Sequence, residues 1–284
     1  MNLVDLHTHT TESDGTLQPL ELVREAASAG VRILAITDHD TVFRSAEVSE
    51  AAQQSGIELI RAIELSCKHA GNSVHLLGYF FNGVGVGLGE FEGWLQQIQG
   101  SRRDRNRRLA LRLRELGLDV HVEDAEKFGP GLTGRPHFAR ALIEKGYVKS
   151  LREAFDRYLG EAAPGYVERD SPDVPTAIRH MTAAGAVPSL AHPIRVGPKN
   201  SEAQEQIIAG FAAAGLPAIE AFHSDHTQAD TQHFIVMARK YGMAVSGGSD
   251  FHGANKPGVQ LGSGLNGNLR IPEWVVPGLR ERSR

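Results

Sequence analysis

Groups of His, Asp and Glu end a series of apolar runs along this chain, and each run has the length and composition of a buried β-strand. The groups are Asp5-Leu6-His7-Thr8-His9, Thr37-Asp38-His39, Glu64, His75, Ala191-His192-Pro193 and Gly248-Ser249-Asp250-Phe251-His252. The carboxyl ends of successive strands in a β/α barrel meet at one rim, where the active site lies. We therefore expect these metal-ligand residue types to gather at one rim, as in a multi-metal hydrolase.

The apolar runs predict strands that mostly alternate with helices. The predicted strands are Asn2–His9, Val31–Thr37, Ile57–Glu64, Ser73–Phe80, Ala186–Ala191, Ala218–Phe222 and Met243–Ser249. Thr16 is predicted to cap a helix that runs to Ala29, and further helices are predicted over Ser45–Ser55 and Ile271–Arg284. This pattern is typical of an α/β fold with one strand fewer than the usual barrel.

A segment of about 100 residues separates Phe81 from Ala186, far more than a crossover between two strands needs. The glycine-rich run Gly83–Gly89 begins this segment, and helical patterns occupy Glu90–Leu159. We interpret residues 83–165 as a helical insertion domain that covers the active site. Residues 1–82 and 166–284 then form the catalytic unit.

Composition narrows the function. The 284 residues carry 30 Lys and Arg against 34 Asp and Glu, a net charge of -4, and so lack the broad basic surface that duplex DNA requires. Cys67 is the single cysteine, which excludes an intrachain disulfide and is typical of a reducing compartment. No signal-peptide pattern or membrane-spanning run precedes the first strand. We therefore expect a cytoplasmic protein without a membrane partner.

Residue spacing indicates how these groups can bind metal. On a strand, His7 and His9 face the same side, and each such pair of imidazoles can hold one ion. Asp250 and His252 share the same spacing. Glu64 has two carboxylate oxygens and can bridge two ions. Taken alone, strand histidines are more often hydrogen-bonded structural residues, and a lone histidine within an apolar strand, such as His75, is more often part of the core.

Two classes of metal-dependent hydrolase begin with His-x-His on the first strand. The amidohydrolase type often bridges its ions with a modified Lys, and no Lys follows a predicted strand in this chain. Asp14, His39 and His252 remain once two metal sites are filled. This surplus indicates a third ion.

Several segments resemble the PHP (polymerase and histidinol phosphatase) family over almost the whole chain. They are Asp5-Leu6-His7-Thr8-His9-Thr10, Ser13-Asp14-Gly15, Ile36-Thr37-Asp38-His39-Asp40, Gly134-Arg135-Pro136-His137-Phe138-Ala139, Ala191-His192-Pro193 and Gly248-Ser249-Asp250-Phe251-His252. The resemblance implies a distorted (β/α)7 barrel with a trinuclear site. The mixed imidazole and carboxylate ligands suit Mn²⁺, which we expect first, and also Zn²⁺ or Fe²⁺.

The same resemblance assigns the ligands. It implies a first ion held by His7, His9, Glu64 and Asp250, a second held by Glu64, His75 and His192, and a third held by Asp14, His39 and His252. Many members have a His where Asp14 stands, which makes the third site the most variable of the three. Asp5 and Asp38 are expected to orient ligating imidazoles.

Basic residues in the insertion are candidates for binding a substrate phosphate. Arg102 and Arg105 fall on the apolar stripe of a predicted helix, whereas Arg103 and Arg108 face solvent. A run of charge is usually a solvated face, but an inward-facing arginine needs an anionic partner. The further candidates are Arg135 and His137 at a helix start, Arg195 after a strand, His223 as general acid and Tyr166 as a base-stacking residue.

The resemblance is greatest to the PHP subgroup that acts on nucleoside 3′,5′-bisphosphates or the 5′ ends of short single-stranded RNA. We therefore expect a phosphoesterase in which two ions share a nucleophilic hydroxide. Histidinol-phosphate phosphatase is the enzymatic alternative, and the inward-facing arginines weigh against it. A non-catalytic metal or nucleic-acid binding module is the alternative of another class, and the complete ligand set weighs against that.

Overall fold

The computed structural model describes residues 3–81, 88–129, 131–199 and 201–283, and within these residues the core is a seven-stranded, mostly parallel sheet. Its strands are β1 (Leu3–Asp5), β2 (Val31–Ile36), β3 (Glu58–His69), β4 (Asn72–Phe80), β5 (Val187–Leu190), β6 (Ala218–His223) and β7 (Ala244–Gly248). They lie side by side in chain order. The pairs are parallel except that β4 is antiparallel to both β3 and β5. The predicted α/β class and the presence of seven strands in the predicted regions are confirmed, but β1 ends at Asp5, so His7 and His9 lie beyond it and not on the strand as predicted.

Helices cover the sheet and fill the long segment after β4. They are α1 (Pro19–Ser28), α2 (Ala46–Gln54), α3 (Leu88–Glu115), α4 (Val122–Glu126), α5 (Arg135–Glu144), α6 (Leu151–Ala154), α7 (Val174–Ala183), α8 (Glu202–Ala213), α9 (Gln228–Lys240) and α10 (Val275–Arg280). A turn of π-helix, Phe155–Leu159, continues α6, and a small hairpin of β8 (Val259–Gln260) and β9 (Gly264–Leu265) precedes α10. No helix of the described ranges is both long and apolar enough to cross a membrane.

The start of α1 differs from the prediction. Thr16 does not cap this helix, because its hydroxyl accepts a hydrogen bond from the Ala254 amide, 2.9 Å away. Gln18 holds the N-cap position, and its amide donates to the Glu21 carboxylate at 2.8 Å. The predicted cap residue therefore joins α1 to the loop after β7, a contact between distant parts of the chain that local sequence does not specify.

The reversal of β4 corrects the expectation that every candidate ligand ends a strand. β3 continues past Glu64 to His69, and a two-residue turn at Ala70 and Gly71, both with positive φ, leads back into β4. Glu64 therefore lies in the middle of β3, opposite Leu77, and His75 lies near the start of β4. The extension also places Lys68 near the end of β3, contrary to the expectation that no Lys does so, and its ammonium pairs with Glu168.

The chain segments that follow β1 and β7 meet through backbone hydrogen bonds. The Leu6 amide donates to Gly247 O at 3.2 Å, and the Asp250 amide donates to His7 O at 2.8 Å. Further along, the His9 amide donates to Phe251 O at 2.9 Å. The first and last groups of candidate ligands are thus held side by side by main chain.

The helical segment has a hydrophobic core of its own. Its fully buried members include Leu109, Leu113, Phe138, Leu142 and Leu159, which form a cluster separate from those around the sheet. The division of the chain into a catalytic unit and an insertion domain of residues 83–165 stays a prediction. The glycine-rich run at the start of the insertion falls largely on residues 82–87, which lie outside the described residues. A second core over the sheet leaves a cavity between the two layers, in which the candidate site lies.

Candidate metal centre and anion pocket

Glu64 lies at the centre of the predicted ligands. Its Oε2 atom lies 3.1 to 3.3 Å from ring nitrogens of His9, His39 and His7. Its Oε1 atom lies 2.8 Å from His75 Nδ1 and 2.9 Å from His192 Nε2. The two oxygens of one buried carboxylate therefore face two different sets of imidazoles, which is the geometry a bridging ligand needs.

The donor atoms of the first predicted ligand set are spaced as the ligands of one metal ion are. Asp250 Oδ1 lies 3.5 Å from both His7 Nε2 and His9 Nε2, and Glu64 Oε2 lies 3.3 and 3.1 Å from the same nitrogens. Ligands about 2.1 Å from a central ion are separated by about 3.4 Å. Both histidine nitrogens are buried and have no hydrogen-bond partner among the described residues. The four donors therefore fit a divalent cation.

The third predicted set gathers beside the first. His252 Nε2 lies 3.2 Å from Asp14 Oδ1, and His39 Nε2 lies 3.7 Å from Asp14 Oδ2. His39 also faces Glu64 Oε2 through Nδ1, so its ring stands between the bridging carboxylate and the third set. All nine predicted ligands form one group, here called the metal-ligand cluster: His7, His9, Asp14, His39, Glu64, His75, His192, Asp250 and His252.

The charge states in the metal-ligand cluster suit a cation. Burial alone would raise the pKa of the Glu64 carboxyl, but the neighbouring His39, His75 and His7 hold that pKa well below its usual range. Burial lowers the pKa of His39 to about 3, against the opposing effect of Glu64 and Asp14. The carboxylate and the neutral imidazole are the forms that bind metal. His7 differs, because three carboxylates led by Glu220 raise its pKa in spite of burial.

Glu220 was not predicted from the sequence. It is fully buried in β6 and bonds two members of the cluster: its Oε1 lies 2.9 Å from His7 Nδ1, and its Oε2 accepts from the His192 amide at 2.6 Å. A carboxylate on the outer nitrogen of a ligating histidine fixes the orientation of that ring. The signal was present in the sequence as a lone Glu inside the apolar run Ala218–Phe222.

Left-handed backbone surrounds the cluster. His192, Asp250 and Asp40 have φ values of 29°, 56° and 54°. A non-glycine residue in this region costs about 1–3 kcal/mol and persists only where the surroundings enforce it. Here Glu220 holds the His192 amide, and His7 O holds the Asp250 amide. The fold thus accepts strain to aim two ligands inward.

The two predicted orienting carboxylates act on the backbone and on hydroxyl groups. Asp5 accepts from the amides of Ser249 and Gly262, both at 2.8 Å, and from the His7 amide at 3.4 Å, so its recorded hydrogen bonds among the described residues go to backbone and not to an imidazole ring. Asp38 accepts from Ser13 Oγ at 2.6 Å, and Ser13 Oγ lies 3.3 Å from His9 Nδ1. Asp38 therefore reaches a ligating ring only through a serine.

A cavity of about 500 Å³ opens from the metal-ligand cluster toward the helical segment, and six arginines line it. Four of them, Arg102 and Arg105 on α3, Arg135 at the start of α5, and Arg169, are here called the arginine pocket; the other two are Arg152 and Arg195. Arg102 and Arg105 are buried and Arg103 and Arg108 are exposed, as the apolar stripe predicted. The cavity therefore combines a carboxylate-imidazole end with a guanidinium end.

Arg105 is the least neutralised member of the arginine pocket. Its side chain is 6% exposed, and among the described residues no carboxylate lies within ion-pair distance of it. Burial, reinforced by Arg102 and Arg135, holds the pKa of Arg105 well below its usual range. A buried guanidinium without a partner is expensive, so this position favours an anionic ligand.

Arg135 and Tyr166 act together. The Arg135 guanidinium lies 5.5 Å from the Tyr166 ring centroid and donates to Leu159 O at 3.2 Å. Both residues line the cavity. Tyr166 therefore supports an arginine through a cation–π contact, while its role in base stacking stays a prediction.

The remaining predicted substrate residues are placed less favourably. His137 accepts from the Gly134 amide at 2.9 Å at the start of α5 and does not line the cavity. Arg195 lines the cavity but is paired with Asp225 and lies 3.5 Å from Asp250.

His223, the predicted general acid, lies behind Asp250. Its Nδ1 accepts from the Asp225 amide at 3.0 Å, so its Nε2 carries the proton and donates to Asp250 Oδ2 at 3.3 Å. The ring is buried and does not line the cavity. This geometry does not support proton transfer to a leaving group.

Arg169 and Lys256 line the cavity and were not predicted. Arg169 lies between elements, where no periodicity marks it. Lys256 follows the last ligand group and pairs with Asp250. In the sequence, only its position four residues after His252 could have indicated that Lys256 lies near the site.

Comparison with known proteins agrees with the geometry. The model of the PHP domain matches residues 5–167. A 5′-3′ exoribonuclease of Haemophilus influenzae is 34% identical over 96% of this chain and 96% of its own length. A 3′,5′-nucleoside bisphosphate phosphatase of Chromobacterium violaceum is 32% identical over 91% of this chain and 90% of its own.

Solved structures agree as well. One, described as a metal-dependent phosphoesterase of Bifidobacterium adolescentis, is 27% identical, covers 100% of this chain and 97% of its own, and has a TM-score of 0.84. Another, described as an amidohydrolase of Chromobacterium violaceum with bound sulfate, is 32% identical, covers 98% and 96%, and has the same TM-score of 0.84.

Proposed function

Because this chain belongs to the PHP domain family and is a hydrolase of phosphate esters, we propose that it cleaves the bond between phosphorus and the 3′ oxygen of a nucleotide whose 5′-phosphate is held by the arginine pocket. A nucleoside 3′,5′-bisphosphate would yield the 5′-monophosphate and inorganic phosphate. The first nucleotide of a 5′-phosphorylated RNA would leave as the same 5′-monophosphate. One bond and one site thus serve both substrates.

The observation that carries this proposal is the pairing of two anion-binding ends in one cavity. The metal-ligand cluster can hold the phosphate that reacts, and the arginine pocket offers guanidinium groups to a second phosphate. A cavity of about 500 Å³ has the size of a typical small-molecule site. A substrate with two phosphates joined by a nucleoside matches both ends.

The family resemblance supports a closed (β/α)7 barrel and three divalent ions in the ligand sets described above, with Mn²⁺ expected first. When bound, such ions would supply a hydroxide nucleophile at neutral pH and offset the charge that develops on the phosphoryl group. Glu64 would keep two of the sets in register, because one oxygen faces each set. Glu220 would hold His7 in a fixed orientation throughout.

The arginine pocket would position the substrate. Held at its 5′-phosphate, a nucleotide presents its 3′ oxygen to the metal-ligand cluster, which replaces a random encounter by a fixed geometry. Arg102 and Arg105 are buried on a rigid helix, so the binding groups lose little freedom when a phosphate enters.

The relatives support both substrates. One is named for nucleoside bisphosphates and another for RNA, and each matches this chain over at least nine-tenths of its length. The sulfate in a structural neighbour supports oxyanion binding by this architecture. Histidinol phosphate fits less well, because its ammonium group would meet the guanidinium groups of the arginine pocket.

Product analysis tests the proposal. The Mn²⁺-loaded protein is given adenosine 3′,5′-bisphosphate, a 5′-phosphorylated RNA pentamer and histidinol phosphate in parallel. We expect 5′-AMP from the first and stepwise release of 5′-nucleotides from the second. Turnover of histidinol phosphate alone would overturn the substrate assignment and retain the chemistry. No turnover of any of the three by metal-loaded protein would contradict the proposed function.

A further inference from the structure

Asp40 is a buried carboxylate that lies between the metal-ligand cluster and the arginine pocket. Its Oδ2 atom accepts from Arg102 Nη2 at 2.5 Å and from Arg169 Nη1 at 2.8 Å. On the β3 side, it accepts from the Ser66 amide at 2.7 Å and the Ser66 hydroxyl at 3.1 Å. The side chain is 0% exposed. One carboxylate thus receives four donors from three separate parts of the chain.

The backbone of Asp40 is tied to the metal ligands. Asp40 directly follows His39, and its amide donates to Glu64 O at 2.9 Å. Its carbonyl accepts from Gln99 of α3 at 2.9 Å, and its φ of 54° turns the carboxylate toward the arginines. A displacement of Asp40 would therefore change the position of the helical segment relative to the bridging residue.

We propose that Asp40 is a positioning residue that fixes Arg102 and Arg169 at a set distance from the metal-ligand cluster, and so selects substrates by the spacing of their two phosphates. Two guanidinium groups side by side repel each other, and a carboxylate between them removes most of that repulsion. With Asp40 in place, the remaining N–H donors of both arginines are held ready for a phosphate.

This inference rests on the proposed function, since it takes the arginine pocket as the site of the non-reacting phosphate. It goes further by assigning a role to the last residue of Thr37-Asp38-His39-Asp40, which belongs to neither the metal-ligand cluster nor the arginine pocket. It also explains why Arg102 is paired and Arg105 is not. Arg102 is held as part of the framework, whereas Arg105 is left for the ligand.

The test compares two substrates in Asp40→Asn. Adenosine 3′,5′-bisphosphate carries the second phosphate, and adenosine 3′-monophosphate lacks it. We expect KM for the bisphosphate to rise about tenfold or more, the effect of losing a charge-assisted hydrogen bond, with kcat and bound metal retained. KM for the 3′-monophosphate should stay within about twofold. Asp104→Asn is the matched control, because Asp104 pairs with Arg107 at the exposed surface.

A second variant and a binding measurement guard against misfolding. Arg169→Lys keeps the charge but removes the forked guanidinium. Its KM for the bisphosphate should also rise relative to its KM for the 3′-monophosphate, but by less than in Asp40→Asn. Calorimetric titration with 5′-AMP should show weaker binding in both variants. Equal losses on the two substrates, accompanied by loss of metal, would assign Asp40 to the metal site and overturn the inference.

The two proposals fail in different ways. If the wild-type protein prefers the bisphosphate and Asp40→Asn retains that preference, only the positioning role is wrong. If the wild-type protein shows no preference for the bisphosphate over the 3′-monophosphate, the proposed function fails and the positioning role fails with it.

Discussion

The metal-ligand cluster and the arginine pocket share one cavity but are stabilised in different ways. In the cluster, imidazoles alternate with carboxylates, and a further carboxylate, Glu220, holds two of its members from behind. In the pocket, Arg102 and Arg169 share Asp40 as their buried carboxylate partner, whereas Arg105 and Arg135 pair with no carboxylate within the described ranges. The carboxylates of the cluster are paired with imidazoles of the protein itself, whereas Arg105 in the pocket has no carboxylate partner among the described residues. Removing a group from each should therefore have opposite effects on stability.

The largest effect is expected in the cluster. Glu64→Gln keeps the shape of the bridge but removes the charge that two ligand sets share, so turnover should fall by at least about 10³-fold. Phosphate release under saturating Mn²⁺ measures this change, and metal analysis should show fewer ions per chain. Wild-type turnover in this variant would refute the bridging role.

A smaller loss of activity is expected at Glu220, which contacts the metal ligands from behind. Glu220→Gln should weaken metal affinity by about 10- to 100-fold, because His7 loses the carboxylate that orients its ring. Titration of the metal-stripped protein measures that affinity, and excess Mn²⁺ should restore most activity. If metal affinity is unchanged, Glu220 serves the fold rather than the cluster.

In the pocket, a substitution that weakens substrate binding should make the folded protein more stable. Arg105→Met removes a buried charge without a carboxylate partner and conserves volume, so the free energy of unfolding should increase by about 1 kcal/mol. KM for adenosine 3′,5′-bisphosphate should rise about tenfold. Arg103→Met, at an exposed position of the same helix, is the control. A loss of stability in Arg105→Met would contradict the comparison.

The smallest effect is expected at the surface of the helical segment. Asp124 accepts from Lys145 at 2.6 Å, a contact that lowers the pKa of its carboxyl to about 2. Because the folded pKa lies below the unfolded value, this pair stabilises the fold above about pH 4 and loses its contribution as pH falls toward 2.

Asp124→Asn tests that pair. The variant should be less stable by less than about 1 kcal/mol at neutral pH. Denaturant titrations at several pH values measure this difference, which should shrink below about pH 4. A difference that grows on acidification would reverse the assigned sign.

The sequence predicted the metal-ligand cluster better than the pocket for a physical reason. The i, i+2 spacing of His7 and His9, and of Asp250 and His252, marked them in the sequence, although in the structure all four lie just beyond the ends of β1 and β7. Strand direction is not encoded in such spacing, since parallel and antiparallel strands both alternate. The reversal of β4 depends on the turn at Ala70 and Gly71, which lacks the usual Asn-Gly signal.

The residues that sequence reasoning missed depend on contacts between distant segments. Asp40 receives donors from β3, α3 and Arg169, and no local pattern brings these together. Arg102 and Arg105 were found because a helical stripe marks inward positions, while Arg169 lies outside any periodic element. Roles that a single element imposes could be predicted, and roles that require three elements could not.

The reversed strand has a consequence for the order in which the site comes apart. Glu64 and His75 lie in the long β3–β4 ladder, whereas His192 and Asp250 lie in turns just beyond short strands. Amide groups in the middle of a β-ladder exchange hydrogen only when the sheet unfolds. Amide groups in turns at the ends of strands exchange through local opening, which occurs more often. When the protein is heated or the metal concentration is lowered, His192 and Asp250 should lose their positions first and Glu64 last. The β3–β4 hairpin would thus hold Glu64 and His75 in place while the other ligands return to their positions.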